Sequence, residues 1–396
     1  MAAIAKRRSV TALLAIMAML ATLLAVLPAA AGATTDGCDP DHVRKGTHGI
    51  HVYPSGGDDT ENIQCALDMA VAYGPGAKVI LKEGNYYTDW IRVHGFDGRI
   101  RGAGMNETTI SPLPGGLDCK AEVEAGNGLV WWAFLASNVM FKKLSFDIPL
   151  ACSEPYFEDI DDEGFGFRAQ DFNYMVVSAT RAPGATDGCE AMVEGSLRVK
   201  EVKATAPFPD FSAMVFHPMG AFGAFFAGGT ALNECDAVDR MVGKAWVKYS
   251  HIEGFGSPLE AASWYDSQIV FKHNVVPQTD AGVIGSNLQG SALRVLYNEM
   301  TTEGFSTVVA DECSGTPFGL DCAEDTMKVR IRDNHITAAG SLTGVFAVDG
   351  FVERVMDLRI TENNINQLGS LTGVLIVNTD DARVRGNIHT GEAVHG

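Results

Sequence analysis

Val329-Arg330-Ile331-Arg332-Asp333-Asn334-His335-Ile336 is answered 29 residues later by Leu358-Arg359-Ile360-Thr361-Glu362-Asn363-Asn364-Ile365. The two copies run on in register into Ser341-Leu342-Thr343-Gly344-Val345 and Ser370-Leu371-Thr372-Gly373-Val374. Strand-like alternation repeated at a fixed period of some tens of residues predicts coils stacked into a solenoid. Working outward, Asn274, Asn298, Asn334, Asn363 and Asn387 each follow a strand. Ser250, Val202 and Leu144 hold that place in earlier coils. Three places before them stand Phe141, Val199, Val247, Phe271, Val295, Ile331, Ile360 and Val384. Five places before stand Val139, Leu197, Ala245, Ile269, Leu293, Val329, Leu358 and Ala382. Side chains two apart share one face of a strand, so both apolar columns are expected inside the coil. Asn tolerates positive φ, so the Asn column is expected to take the tight left-handed turn and to pair along the axis.

The ends are of another kind. Lys6, Arg7 and Arg8 precede an apolar run from Val10 to Leu27 and the small residues Ala29-Ala30-Ala31-Gly32-Ala33. Residues 1–33 are therefore expected to be a signal peptide, and residues 34–396 a single exported domain, extracellular or periplasmic and free of the membrane after cleavage. Without Lys6, Arg7 and Arg8 the 30 basic side chains become 27, against 49 acidic ones, a net charge of −22. That balance argues against a nucleic-acid or anionic-membrane binder. Eight cysteines in the mature part predict disulfides, with Cys313–Cys322 the simplest pair. No CxxC suggests a zinc site.

The stretch GDDTENIQCALDMA reads as a helix over residues 58–72, capped by Asp or Thr, with Ile63, Leu67 and Ala70 on one face. It is followed by KVILKEGNYY and RIRGAGMNETTI. Together with the Asn column, this order resembles the pectin-lyase-like right-handed parallel β-helix proteins, from about Asp58 to Ile388. The resemblance implies an all-β solenoid with an N-terminal capping helix and an asparagine ladder. Loop insertions are expected at 150–190 and 218–243.

Catalytic motifs of the family are missing. Asn378-Thr379-Asp380-Asp381 lies in the last coil with no partner motifs after it, and no GxSxG, HExxH or P-loop pattern occurs. Candidate chemistry is instead sought in columns. One, at the end of the strand preceding the Asn-bearing strand, reads His217, Asp266, Asn287, Asp311, Asp349 and Asn378. In the family this strand floors the substrate cleft. Asp311 and Asp349 on adjacent rungs would share a proton or hold Ca2+, or act as the acid pair of a glycoside hydrolase. His217 can serve as a base. Trp264-Tyr265 and Trp131-Trp132 can each offer one ring as a sugar platform.

A second pattern is basic. Arg198, Arg294, Arg330, Arg359 and Arg383 form one outward file, and Lys142, Lys200, Lys248, Lys272, Arg332 and Arg385 the other. Stacked like charges need a counter-charge. It comes either from a polyanionic polysaccharide held by residues such as Lys272, Arg330 and Arg332, or from the acidic segments 154–163 and 321–325 folding over the face. The expected function is a monomeric exported protein acting on acidic glycans as a lyase. The alternatives are a non-catalytic glycan-binding or structural protein and a hydrolase using paired Asp.

Overall fold

The computed structural model describes residues 38–124, 130–153, 156–159, 166–169, 172–179, 192–207, 221–228, 240–303, 306–311, 327–339, 343–348, 356–368, 372–377 and 381–392. Their strands follow a repeating order of three. One coil consists of Glu260–Tyr265 (sheet 1), Gln268–Lys272 (sheet 2) and Val275–Thr279 (sheet 3). Each strand pairs in parallel with the strand three places on. Glu260–Tyr265 joins Val283–Gln289, Gln268–Lys272 joins Ala292–Leu296, and Val275–Thr279 joins Glu299–Thr302. The same step continues to the strands Thr372–Val377, Asp381–Arg385 and Ile388–Glu392. This is the pairing of a parallel β-helix. An antiparallel hairpin, Val43–Gly46 with Gly49–Val52, precedes the coils.

The two inward columns pack as their alternation requires. Val139, Leu197, Ala245, Ile269, Leu293, Val329 and Leu358 are fully buried, as are Phe141, Val199, Val247, Phe271, Val295, Ile331 and Ile360. Each large aliphatic removed from water contributes roughly 1.5–3 kcal/mol, so a column of seven dominates the local energetics. At the last described coil Val384 is exposed. Near the start, Trp131, Trp132, Phe134, Phe141 and Phe146 form a buried aromatic knot with mostly edge-to-face contacts.

The turn between sheets 2 and 3 departs from the sequence expectation in one respect. The left-handed residue is the one before the Asn, not the Asn itself. Lys143, Glu201, Tyr249, His273, Tyr297, Asp333 and Glu362 all have φ between 54° and 58°. This conformation costs an L-residue about 1–2 kcal/mol, and the following side chain offsets it. Asn298 Oδ1 accepts from the backbone N–H and the Nδ2 of Asn274, while Asn274 Nδ2 also donates to the Val247 carbonyl. Asn334, Asn363 and Asn387 repeat the arrangement, and Ser250 extends it by donating its N–H to Asn274 Oδ1. The turn between sheets 1 and 2 has a shorter counterpart. Ser291 Oγ accepts from Ser267 N–H, and Ser267 Oγ accepts from Gly243 N–H.

Helix α1, Thr60–Tyr73, starts two residues later than the sequence suggests and packs against Gly49–Val52, Ala77–Leu81 and Ile91–His94. Its N-cap, Asp59, makes no side-chain cap. Asp59 Oδ1 instead accepts from Ser55 N–H, and Asp58 Oδ1 accepts from Thr60 N–H. Disulfides Cys38–Cys65 and Cys119–Cys152 staple α1 and the short helix α2, Cys119–Glu124, to the chain around them. Cys313 and Cys322 lie outside the described residues. No described helix is long and apolar enough to cross a membrane.

Candidate polyanion-binding face

Sheet 2 turns its polar side chains outward, and parallel register decides which of them become neighbours. Arg101, Lys142, Lys200, Lys248 and Lys272 are paired rung to rung, giving five consecutive cations about 4.8 Å apart at the backbone. The sequence-derived file lacked Arg101. Leu296 then interrupts the line, and Arg332, Thr361 and Arg385 continue it. The parallel file reads Arg99, Met140, Arg198, Trp246, Val270, Arg294, Arg330, Arg359 and Arg383, so its cations are contiguous only from Arg294 onward.

The two halves of the face differ in counter-charge. Towards the C-terminus the arginines are neutralised from within. Arg330 is bonded to Asp357 and to the carbonyls of Val329 and Asp357, and Arg359 Nε lies 3.6 Å from Asp357. Arg332 pairs with Asp333 at 2.9 Å and Glu362 at 3.0 Å, both left-handed turn residues. Burial pushes the Asp357 carboxyl up, but the hydrogen bond and charge of Arg330, with the charge of Arg359, outweigh it and hold the group below the ordinary aspartate value. The counter-charge therefore sits in sheet 2 and its turns. Segment 321–325 and most of 154–163 lie outside the described residues. Arg330 and Arg332, expected as substrate clamps, are occupied by these partners.

Towards the N-terminus the cations are open. Lys200 has Glu201 at 3.4 Å, whereas Lys142, Lys248 and Lys272 have no carboxylate within ion-pair distance among the described residues. Burial and then the charges of Lys272 and Lys200 hold Lys248 below the ordinary lysine value. Each neighbouring pair repels by on the order of 1 kcal/mol where water screens it, so several together favour an anion. Aromatic groups partly relieve the charge. Lys248 lies 4.6 Å from the Trp246 ring, Lys272 4.9 Å from Tyr297 and Lys200 5.6 Å from Tyr249.

Beside this file stands a stack that the sequence columns did not single out. Tyr249, His273 and Tyr297, each one residue before the ladder position, stack with centroids 5.0 Å apart and planes within 18°. Tyr249 and Tyr297 are 50% and 41% exposed, so the stack shows its edges to solvent. Those edges offer hydroxyl and imidazole groups rather than ring faces. Burial and the charge of Lys272 keep the His273 imidazole below its ordinary value, favouring the neutral ring. The signal was present as an aromatic residue 24 positions apart, immediately before Ser250, Asn274 and Asn298.

Only part of the acid column falls on described residues. Asp311 ends the strand Ser306–Asp311 and pairs with Ser286 and Val348, so Asn287 is not its rung neighbour. Asp266 is an exposed left-handed residue, φ 43°, in the turn before sheet 2. His217, Asp349 and Asn378 lie outside the described residues, as does the side chain of Asn287. Trp264 is fully buried, as are Trp131 and Trp132, so none of them is a sugar platform. Among the described residues no group of three or more acidic, His or Cys side chains is placed to hold a metal ion.

No protein-family model matches the chain, and no curated protein matches it. Solved structures align with it at low similarity. The Streptococcus pneumoniae surface protein and adhesin PfbA shares 11% identity over 85% of this chain and 97% of that one, with a TM-score of 0.31. The A-module of the Azotobacter vinelandii mannuronan C-5 epimerase AlgE4 shares 12% identity over 85% and 96%, with a TM-score of 0.27.

Proposed function

We propose that this is an exported β-helix protein that binds an acidic polysaccharide along sheet 2. The observation that carries the reading is the run Arg101, Lys142, Lys200, Lys248 and Lys272, stacked in register with one carboxylate in ion-pair reach among the described residues, on a chain of net charge −19. An acidic protein keeps such a row only against like-charge repulsion, which a repeating anion relieves. Carboxylates or sulfates spaced along a glycan meet one ammonium per rung, and the edges of Tyr249, His273 and Tyr297 supply hydrogen bonds beside them.

The test is affinity electrophoresis and calorimetry with polygalacturonate, alginate and a sulfated glycosaminoglycan, using neutral glucan as control. Lys248→Ala with Lys272→Ala is expected to weaken binding tenfold or more. Equal binding by this double variant would overturn the proposal.

A second reading is favoured by one observation. Lys248 stands between Lys200 and Lys272 on adjacent rungs and is held below the ordinary lysine value by burial and their charge, which makes it the candidate base, while its neighbours neutralise a uronate carboxylate. The products of such β-elimination are unsaturated uronates, which absorb in the ultraviolet. Absorbance should rise with the native protein and fail to rise with Lys248→Ala. Asp311 and Asp349, with or without calcium, and His217 remain the proposed alternatives for catalysis, tested by the same assay on their alanine variants.

A further inference from the structure

The strands Met192–Thr205 and Arg240–Lys248 begin four residues earlier than their sheet 2 neighbours Asn138–Asp147 and Gln268–Lys272, making a lip at the leading edge. One glycine in that lip is required. Gly243 has φ 147°, and a Cβ there would stand 2.1 Å from the carbonyl oxygen of Gly195 in the paired strand. On the outer face of the lip is an open cleft of about 310 Å³ lined by Asn138, Glu194, Ser196, Arg198, Val242 and Lys244.

Its charges are not spent on each other. Among the described residues Glu194, Arg198 and Lys244 form no ion pair, although they line one small space, and the buried Nε of Arg198 has no hydrogen-bond partner. Ser196 donates to Asn138 Oδ1 at 3.0 Å, which leaves the Asn138 amide as a further donor. Two cations, an amide donor and one carboxylate suit a ligand that carries both a carboxylate and hydroxyl groups. The size is that of one monosaccharide unit rather than a chain.

The geometry points to a dedicated subsite for a single carboxylate-bearing pyranose, a branch or chain end, with Arg198 and Lys244 on its carboxylate and Glu194 on its hydroxyls. The inference rests on the polyanion reading for its setting. Arg198 precedes Lys200 by two residues on the same strand, so the cleft opens about 6.6 Å from the lysine file on the same face. A glycan lying along the lysines would thus place an acidic side unit in it.

The test uses the full protein and saturation-transfer NMR with methyl glucuronoside, and methyl glucoside as the neutral probe. The glucuronoside is expected to bind and the glucoside not. Arg198→Met should weaken the monomer at least tenfold, and Lys244→Met, at an exposed position, severalfold. Thermal melts would show that both variants remain folded. Lys248→Ala should weaken binding of the polymer. If the monomer does not bind, or binds Arg198→Met equally well, the subsite is wrong even where polymer binding still depends on Lys248. If the monomer binds through Arg198 but the polymer ignores loss of Lys248 and Lys272, the subsite stands and the lysine-file reading fails.

Discussion

Asn298 shows how one residue sustains a turn. It is buried, its Oδ1 accepts two hydrogen bonds from Asn274, and its Nδ2 donates to the Phe271 carbonyl and Asn334 Oδ1. Asn298→Ala strands a buried N–H and a buried carbonyl, and should cost about 3 kcal/mol. A lowered denaturant midpoint with an unchanged slope would report it. A loss below about 1 kcal/mol would mean that water takes over the role of the amide. His273 gives a second prediction at this scale. Its imidazole should titrate below the unperturbed histidine value by NMR, and Lys272→Met should move the midpoint upward. A base depressed in the folded state contributes stability that is fully present above its unfolded value and lost as pH falls below it. A midpoint unaffected by Lys272→Met would leave burial alone as the cause.

Among the elements, sheet 2 carries two electrostatic regimes on one surface. Asp357 anchors the C-terminal regime, holding Arg330 and Arg359. Because its folded value is depressed, its contribution is present above the unfolded aspartate value and disappears as pH falls through the folded one. Melting curves should therefore lose stability on the acid side, and Asp357→Asn should flatten that limb while lowering the melting temperature at neutral pH. An unchanged acid limb would show that other carboxylates govern it. The N-terminal hairpin and α1 depend on a different device. The Cys38–Cys65 disulfide closes a span of 27 residues, and replacing both with Ser should cost about 3 kcal/mol. The first-coil amides would then exchange faster than those of the ladder coils.

Taken whole, the molecule is acidic with a cationic strip, 30 basic against 49 acidic side chains. Binding to the strip rests on close, partly exposed charges, so it should be salt-dependent. Affinity for polygalacturonate should fall as ionic strength rises from low salt to physiological levels, where the Debye length shrinks to about 8 Å. Salt-independent binding would point to hydrophobic or hydroxyl contacts instead.

The sequence by itself determined the solenoid. Alternation at Val329-Arg330-Ile331-Arg332 and its repeats settles which side chains face inward, since the period of two is a property of the strand alone. It also placed the lysine file, because Lys142, Lys200, Lys248 and Lys272 share one offset from the ladder. Tertiary structure decided what those residues can do. Whether Asp311 lies beside Ser286 or Asn287 depends on a one-residue register between coils joined by loops of unequal length. Trp264 lies at a strand end where either face was open to it, and packing across the coil took it inside. Arg330 and Arg332 look like Lys248 and Lys272 in a column, yet Asp357, Asp333 and Glu362 neutralise only the former pair. Face is set within a strand, whereas neighbours and counter-charges are set between strands, so the first could be read from the chain and the second only from the fold.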